Sequence, residues 1–403
     1  MLSVGRLGRQ VAARGARFGG ATHQPRTRLI LAITAAVAVA AGFGVYALTR
    51  GMPPANPPIG GVTRSGPFRV VSVTPAPGAR QADGSQPVRV TFSAPLAAGS
   101  PLPSLTPSVA GSWHSAGDTL MFTPSLPLHP STRITVTVPA GKAGVRSAAG
   151  RGLAQPTTAQ FTTAAYTPLR LAQMLAQLGY LPVSWQPPYL GMRIASELDA
   201  SAAVLAGQEA LAYDPPQGTF TWDQGYPAAL ASMWQPDNYN VILRGAVMAF
   251  QSEHDTAVTG DVDDALWDAV FRADSASDAN ANGYTYAVAS QVDPETLTIY
   301  HDGQVVLQSP ANTGIPASPT VDGTFPVYLK YRFQIMSGTN PDGSSYADPV
   351  SFVSYFNGGD AVHYFPRGGY GYQQSLGCVE LPYGAAEQAY PYLTYGSLVT
   401  VTG

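Results

Sequence analysis

The chain has 403 residues and a formal net charge of −3; 45% of the residues are hydrophobic, 12% are charged, and there are 42 glycines, 36 prolines and one cysteine. Such a length fills several cores rather than one, and without a Gly-X-Y period the glycine content does not make a collagen. A single cysteine excludes an internal disulfide.

Residues 1–28 form a basic tail with Arg6, Arg9, Arg14, Arg17, Arg26 and Arg28 and no acid. An uncharged run follows at 29–48, long enough as a helix to cross the roughly 30 Å hydrocarbon core of a bilayer. The arginines place the tail in the cytoplasm and the remainder outside. The expectation is a single-pass cell-membrane protein with its bulk on the extracytoplasmic side; a signal peptide cleaved after Ala47 is the alternative. Seven of the 22 Lys and Arg residues precede residue 51 and all 25 acids follow it, so the outer part carries about −10. That is a poor footprint for nucleic acid.

Residues 49–65 read as a Pro/Gly linker. From 66 to 165 the pattern is all-β: Phe68–Val73, Val88–Phe92, Thr119–Phe122 and Arg133–Val138 are short strand-like runs between turn signals. Val90-Thr91-Phe92-Ser93, Gly111-Ser112-Trp113 and Phe161-Thr162-Thr163 resemble bacterial Ig-like modules, which implies a β-sandwich.

Between 166 and 280 the period becomes helical. Leu171, Met174, Leu175 and Leu178 share a face before the stop Gly179-Tyr180-Leu181-Pro182. Further helices are expected at Leu243–Ser252 and from Asp263, with Asp261 or Asp263 as the N-cap. Ala246–Gln251 followed by Val258-Thr259-Gly260-Asp261 resembles part of the small peptidoglycan-binding domain, with a large insertion from Trp185 to Tyr239. The nearby acids lack the alternation of a calcium loop and read as a solvated face.

From 281 to 403 strands return, with candidates at Tyr284–Val288, Leu297–His301, Val305–Gln308, Phe325–Tyr331, Val350–Phe356, Ala361–Tyr364 and Ser397–Val401. Cys378 lies here in Ser375-Leu376-Gly377-Cys378-Val379-Glu380, 15 residues after His363. An unpaired thiol outside the cytoplasm is exposed to oxidation, so it is either a buried apolar side chain or a nucleophile. A loop at 365–375 can bring the imidazole to the sulfur, lowering the thiol pKa or acting as base. The N–H groups of Gly377 and Cys378 can face an oxyanion. One cysteine and one placed histidine are too few for zinc, and Ser375 lacks the Gly-x-Ser-x-Gly elbow of a serine hydrolase. No metal or cofactor is expected.

Gly323-Thr324-Phe325-Pro326-Val327, the His363 strand and Ser375-x-Gly377-Cys378-Val379 resemble the L,D-transpeptidase (YkuD-type) catalytic domain. The fold class is then multidomain and mainly β: an Ig-like sandwich, a small helical domain and a C-terminal L,D-transpeptidase sandwich behind one N-terminal transmembrane helix. The resemblance implies Cys378 as nucleophile, His363 as its base, Ser375 and Gly377 as loop and oxyanion support, and the Tyr364 carbonyl steadying the imidazole. It implies 3→3 cross-links between peptidoglycan tetrapeptide stems, with meso-diaminopimelate as donor and acceptor. L,D-carboxypeptidase action and a non-catalytic wall scaffold are the alternatives. Arg367, Tyr328, Tyr331, Tyr370 and Glu380 are candidates for substrate binding in a monomeric protein. Three positions depart from the family pattern: Tyr364 where glycine is common, Leu376 where histidine is common, and Glu380 where arginine or asparagine is common.

Overall fold

The computed structural model describes residues 66–187 and 202–403. The first part is a β-sandwich. One sheet has the order β1-β2-β5-β4, from β1 (Val70–Thr74), β2 (Val88–Phe92), β4 (Gly111–Ala116) and β5 (Thr119–Pro124). The other is β3-β6-β7, from β3 (Ser104–Thr106), β6 (Arg133–Val138) and β7 (Thr157–Thr162). Alternation along β2 and β6 buries Val88, Val90, Phe92, Ile134, Val136 and Val138 between the sheets. Trp113 is only partly buried and packs its ring on Phe122.

The middle part is built on helices 168–177, 241–253 and 264–276, each started by a side chain that accepts a backbone N–H: Thr167 from Arg170, Asn240 from Leu243 and Asp263 from Leu266. Leu171, Met174, Leu175, Ile242, Phe250, Trp267 and Val270 form its core. A two-stranded ribbon, β8 (Val183–Gln186) with β9 (Thr219–Trp222), and helices 202–213 and 228–232 occupy the aromatic, proline-rich segment. This core continues into the terminal domain through Tyr284, Tyr286 and Leu398. Helix 241–253 comes so close to that domain that a Cβ on Gly245 would lie 2.6 Å from the Gly396 carbonyl, so glycine is required for this packing.

The terminal domain is a second sandwich. Its five-stranded sheet runs β12-β11-β10-β18-β13, from β10 (Thr285–Ser290), β11 (Thr296–His301), β12 (Gln304–Pro310), β13 (Gly323–Pro326) and β18 (Leu398–Thr402). The four-stranded sheet runs β14-β15-β16-β17, from β14 (Leu329–Thr339), β15 (Ser345–Asn357), β16 (Asp360–Tyr364) and β17 (Val379–Leu381). The run Phe325–Tyr331 is therefore two strands rather than one. Val327 N–H bonds Ser397 in one sheet and Tyr328 N–H bonds Tyr355 in the other, so the chain crosses the sandwich between them.

The membrane anchor is corrected here. Among the described residues no helix is long and apolar enough to cross a membrane. The longest have 13 residues, a reach of about 20 Å against the roughly 30 Å required. Residues 29–48, where the sequence reading places the anchor, lie outside the described residues. The N-terminal transmembrane helix is removed from the fold class, and the membrane as partner and the cell-membrane localisation are withdrawn with it.

Candidate active site

Sheet register sets Cys378 and His363 on neighbouring strands. β16 and β17 are parallel, with Val362 opposite Val379, His363 opposite Glu380 and Tyr364 opposite Leu381. Cys378, one residue earlier, falls opposite Ala361. Side-chain alternation then turns Ala361, His363, Cys378 and Glu380 to one face and Val362, Tyr364, Val379 and Leu381 to the other. The contacts agree: Val362, Val379 and Leu381 are in the main core, whereas Ala361 and Cys378 pack with Val350, Val353 and Tyr355 on the opposite side. Strand spacing of about 4.8 Å and a rise of about 3.3 Å per residue put the Cys378 and His363 Cα atoms roughly 8 Å apart on the diagonal.

His363 is buried, and its Nδ1 lies 3.0 Å from the Tyr364 carbonyl. A carbonyl accepts only, so Nδ1 carries the proton and Nε2 is left as the basic nitrogen. Burial holds the imidazole below its ordinary pKa despite that hydrogen bond and the nearby Glu380. The resting ring is neutral.

The Cys378 thiol donates to the Gly359 carbonyl across 3.8 Å rather than to His363. Burial pushes the thiol up to about 12, the Asp360 and Glu380 carboxylates add to this, and the Ala361 N–H opposes it. The resting pair is therefore thiol and imidazole, not thiolate and imidazolium. Tyr346 and Tyr355 stand near the sulfur; burial raises both phenols, and a thiolate at Cys378 would raise them further.

The loop that leads into Cys378 is fastened from inside. Ser375, fully buried, donates its hydroxyl to the Cys378 carbonyl at 2.6 Å and accepts the Gly377 N–H at 3.2 Å. Gly377 N–H is thus engaged by Ser375 and does not face an oxyanion. Gly377 has φ +112°, and a Cβ there would collide with a carboxylate oxygen of Asp360. Gly377→Ala is expected to cut turnover on the order of 100-fold with KM little changed, measured by steady-state kinetics, because it displaces the adjacent sulfur.

Arg367 and Glu380 are each other's partners. Arg367 Nε reaches Glu380 Oε2 at 2.8 Å and a terminal nitrogen reaches Oε1 at 2.7 Å, while the same terminal nitrogen holds the Gln374 carbonyl at 3.1 Å. Glu380 is buried and also receives the Asn312 amide at 3.4 Å. The pair closes the 365–375 loop, so neither member is free to hold a substrate carboxylate or ammonium. Arg367→Ala leaves a buried carboxylate unpaired and is expected to cost on the order of 3 kcal/mol in a urea unfolding curve, reduced from the fully buried case because the guanidinium is partly exposed.

The remaining candidates divide. The Tyr370 hydroxyl donates to Phe365 O at 2.6 Å and the Tyr328 hydroxyl donates to Gly358 O, so both fasten loops around the site. Tyr331 is exposed and meets Tyr355 edge-on, the one of the three tyrosines whose surface is open. Sequence reading missed Tyr346, Tyr355, Asp360 and Glu295. Regular alternation would set Tyr346 and Tyr355, nine residues apart, on opposite faces of β15; the irregularity between Ser351 and Ser354, where Phe352 has φ +59°, brings both to the side of the sulfur, and no local pattern announces it.

A free thiol and a neutral imidazole on one face of a β-sandwich, over a loop pinned beneath the sulfur, have the arrangement of a cysteine acyltransferase. Residues 285–401 match the L,D-transpeptidase catalytic domain family, and residues 64–163 match the bacterial Ig-like domain family. The chain carries an L,D-transpeptidase catalytic domain behind an Ig-like domain. Among solved structures it is similar to an L,D-transpeptidase from Mycobacterium smegmatis, at 15% identity over 84% of this chain and 100% of that one, with a TM-score of 0.28. L,D-transpeptidase 3 from Mycobacterium tuberculosis matches at 15% identity over 83% and 98%, TM-score 0.28. The catalytic domain of the Enterococcus faecium L,D-transpeptidase matches at 27% identity over 29% and 95%, TM-score 0.27. No curated protein matches the chain.

Proposed function

We propose that this protein cross-links peptidoglycan stems with Cys378 as nucleophile and His363 as general base. The observation that carries the reading is the placement of both side chains on one face of adjacent parallel strands, within the region that matches the catalytic family. His363 Nε2 takes the thiol proton as sulfur attacks the carbonyl between meso-diaminopimelate and the terminal D-alanine of a tetrapeptide. The Cys378 N–H, which no hydrogen bond among the described residues engages, is the donor available to the oxyanion. The imidazolium then returns the proton to the leaving D-alanine amine, and a thioester remains on Cys378. The side-chain amine of a second stem attacks the thioester, forming a 3→3 amide and restoring the thiol.

Because the resting thiol is neutral, proton transfer accompanies attack instead of preceding it. The two sheets and pinned loop hold the reacting groups in place. Incubating the full chain and its Cys378→Ala variant with disaccharide-tetrapeptide, followed by mass spectrometry, tests this. Cysteine-dependent dimer with release of D-alanine is expected. Tripeptide alone means that water is the acceptor, and no cysteine-dependent product overturns the reading.

A further inference from the structure

Glu295 is fully buried in the terminal domain, and the proposed reaction does not use it. One residue occupies both carboxylate oxygens: Thr313 N–H donates to Oε2 at 2.6 Å and the Thr313 hydroxyl donates to Oε1 at 2.7 Å. The Thr313 carbonyl in turn accepts the N–H groups of Gln374 and Ser375, both at 2.9 Å. Ser375 then holds Cys378 and Gly377 through its hydroxyl. The Glu295 backbone secures the same loop a second time, its N–H donating to the Gly371 carbonyl at 2.8 Å while its own carbonyl accepts Ala311 N–H at 3.0 Å.

An ionised carboxylate taken out of water is destabilising unless its oxygens are satisfied, and an apolar residue of similar volume fills such a space without that cost. What a carboxylate alone supplies here is two acceptors for the paired N–H and O–H of one threonine; an amide has one. That pairing fixes Thr313, and the Thr313 carbonyl fixes the backbone three residues before the sulfur.

We propose that Glu295 is a positioning residue for Cys378, acting through Thr313 and Ser375. This rests on the reading of Cys378 as nucleophile. Four full-length proteins test it: wild type, Glu295→Gln, Thr313→Val and Thr313→Ser, each compared for kcat, KM and the rate of Cys378 alkylation by iodoacetamide in the folded state. Glu295→Gln and Thr313→Val are expected to lower kcat about tenfold with KM within about twofold, and to change the alkylation rate by more than about threefold. Thr313→Ser, which keeps the hydroxyl, recovers most of both.

Wild-type kcat per folded molecule and an unaltered alkylation rate in Glu295→Gln and Thr313→Val overturn the proposal. If Glu295→Gln does not fold, the Val and Ser variants at 313 decide by the same criteria. If wild type forms no cysteine-dependent product, the functional reading fails, and the alkylation rates still decide whether Glu295 sets the position of the thiol.

Discussion

Cys378→Ser is expected to lose at least about 10⁴-fold in turnover while keeping the melting temperature and the circular dichroism of the wild type. The substitution nearly preserves shape, so the fold around Ala361, Val353 and Tyr355 has no reason to change. The chemistry changes entirely. His363 is held below its ordinary pKa by burial and is a weak base. It can take a proton from a thiol in concert with attack, but an alkoxide is far harder to form, and the Arg367 guanidinium, committed to Glu380, does not stabilise one. Single-turnover release of D-alanine is the measurement.

His363→Gln is expected to lower the acylation rate by about 10²- to 10⁴-fold, the usual contribution of a positioned base. The pH dependence carries the sharper information. A His363 pKa lowered by burial keeps the base neutral into mildly acid solution, so the wild-type rate falls only below the ordinary imidazole range and stays flat above it. With the base removed, attack must wait for free thiolate, whose pKa is pushed up to about 12. The variant's rate should climb about tenfold per pH unit through the neutral and mildly alkaline range. A parallel pair of profiles would contradict general-base action by His363.

The chemistry of the site was more legible in the sequence than its electrostatics. Ser375-x-Gly377-Cys378 and His363 stand in local motifs, and strand alternation puts their side chains on a predictable face. Arg367 and Glu380 were legible only as charges. Their pairing spans 13 residues and depends on how the 365–375 loop folds back, which no local pattern encodes. In the sequence each is a candidate contact for substrate, whereas in the fold the two neutralise one another. The sequence offers Gly377 as an oxyanion donor because successive N–H groups can point together; its positive φ accompanies an N–H turned instead to Ser375.

Glu295 left no signal. In Asp293-Pro294-Glu295-Thr296-Leu297 it reads as a surface acid at a strand start, and only the return of the loop through Gly371 buries it. The split of Phe325–Tyr331 between sheets was hidden for a related reason. Both halves have strand composition, and the crossing at Val327 and Tyr328 is set by partners 27 and more residues away.

The central claim is that a thioester forms on Cys378. Rapid-quench incubation of the full chain with tetrapeptide, in the absence of an acceptor stem, followed by intact-protein and peptide mass spectrometry, tests it directly. The account predicts an adduct equal to the stem minus D-alanine, mapped to the peptide bearing Cys378 and missing from Cys378→Ala. An adduct on any other residue, or D-alanine release that survives the Cys378→Ala substitution, would contradict it.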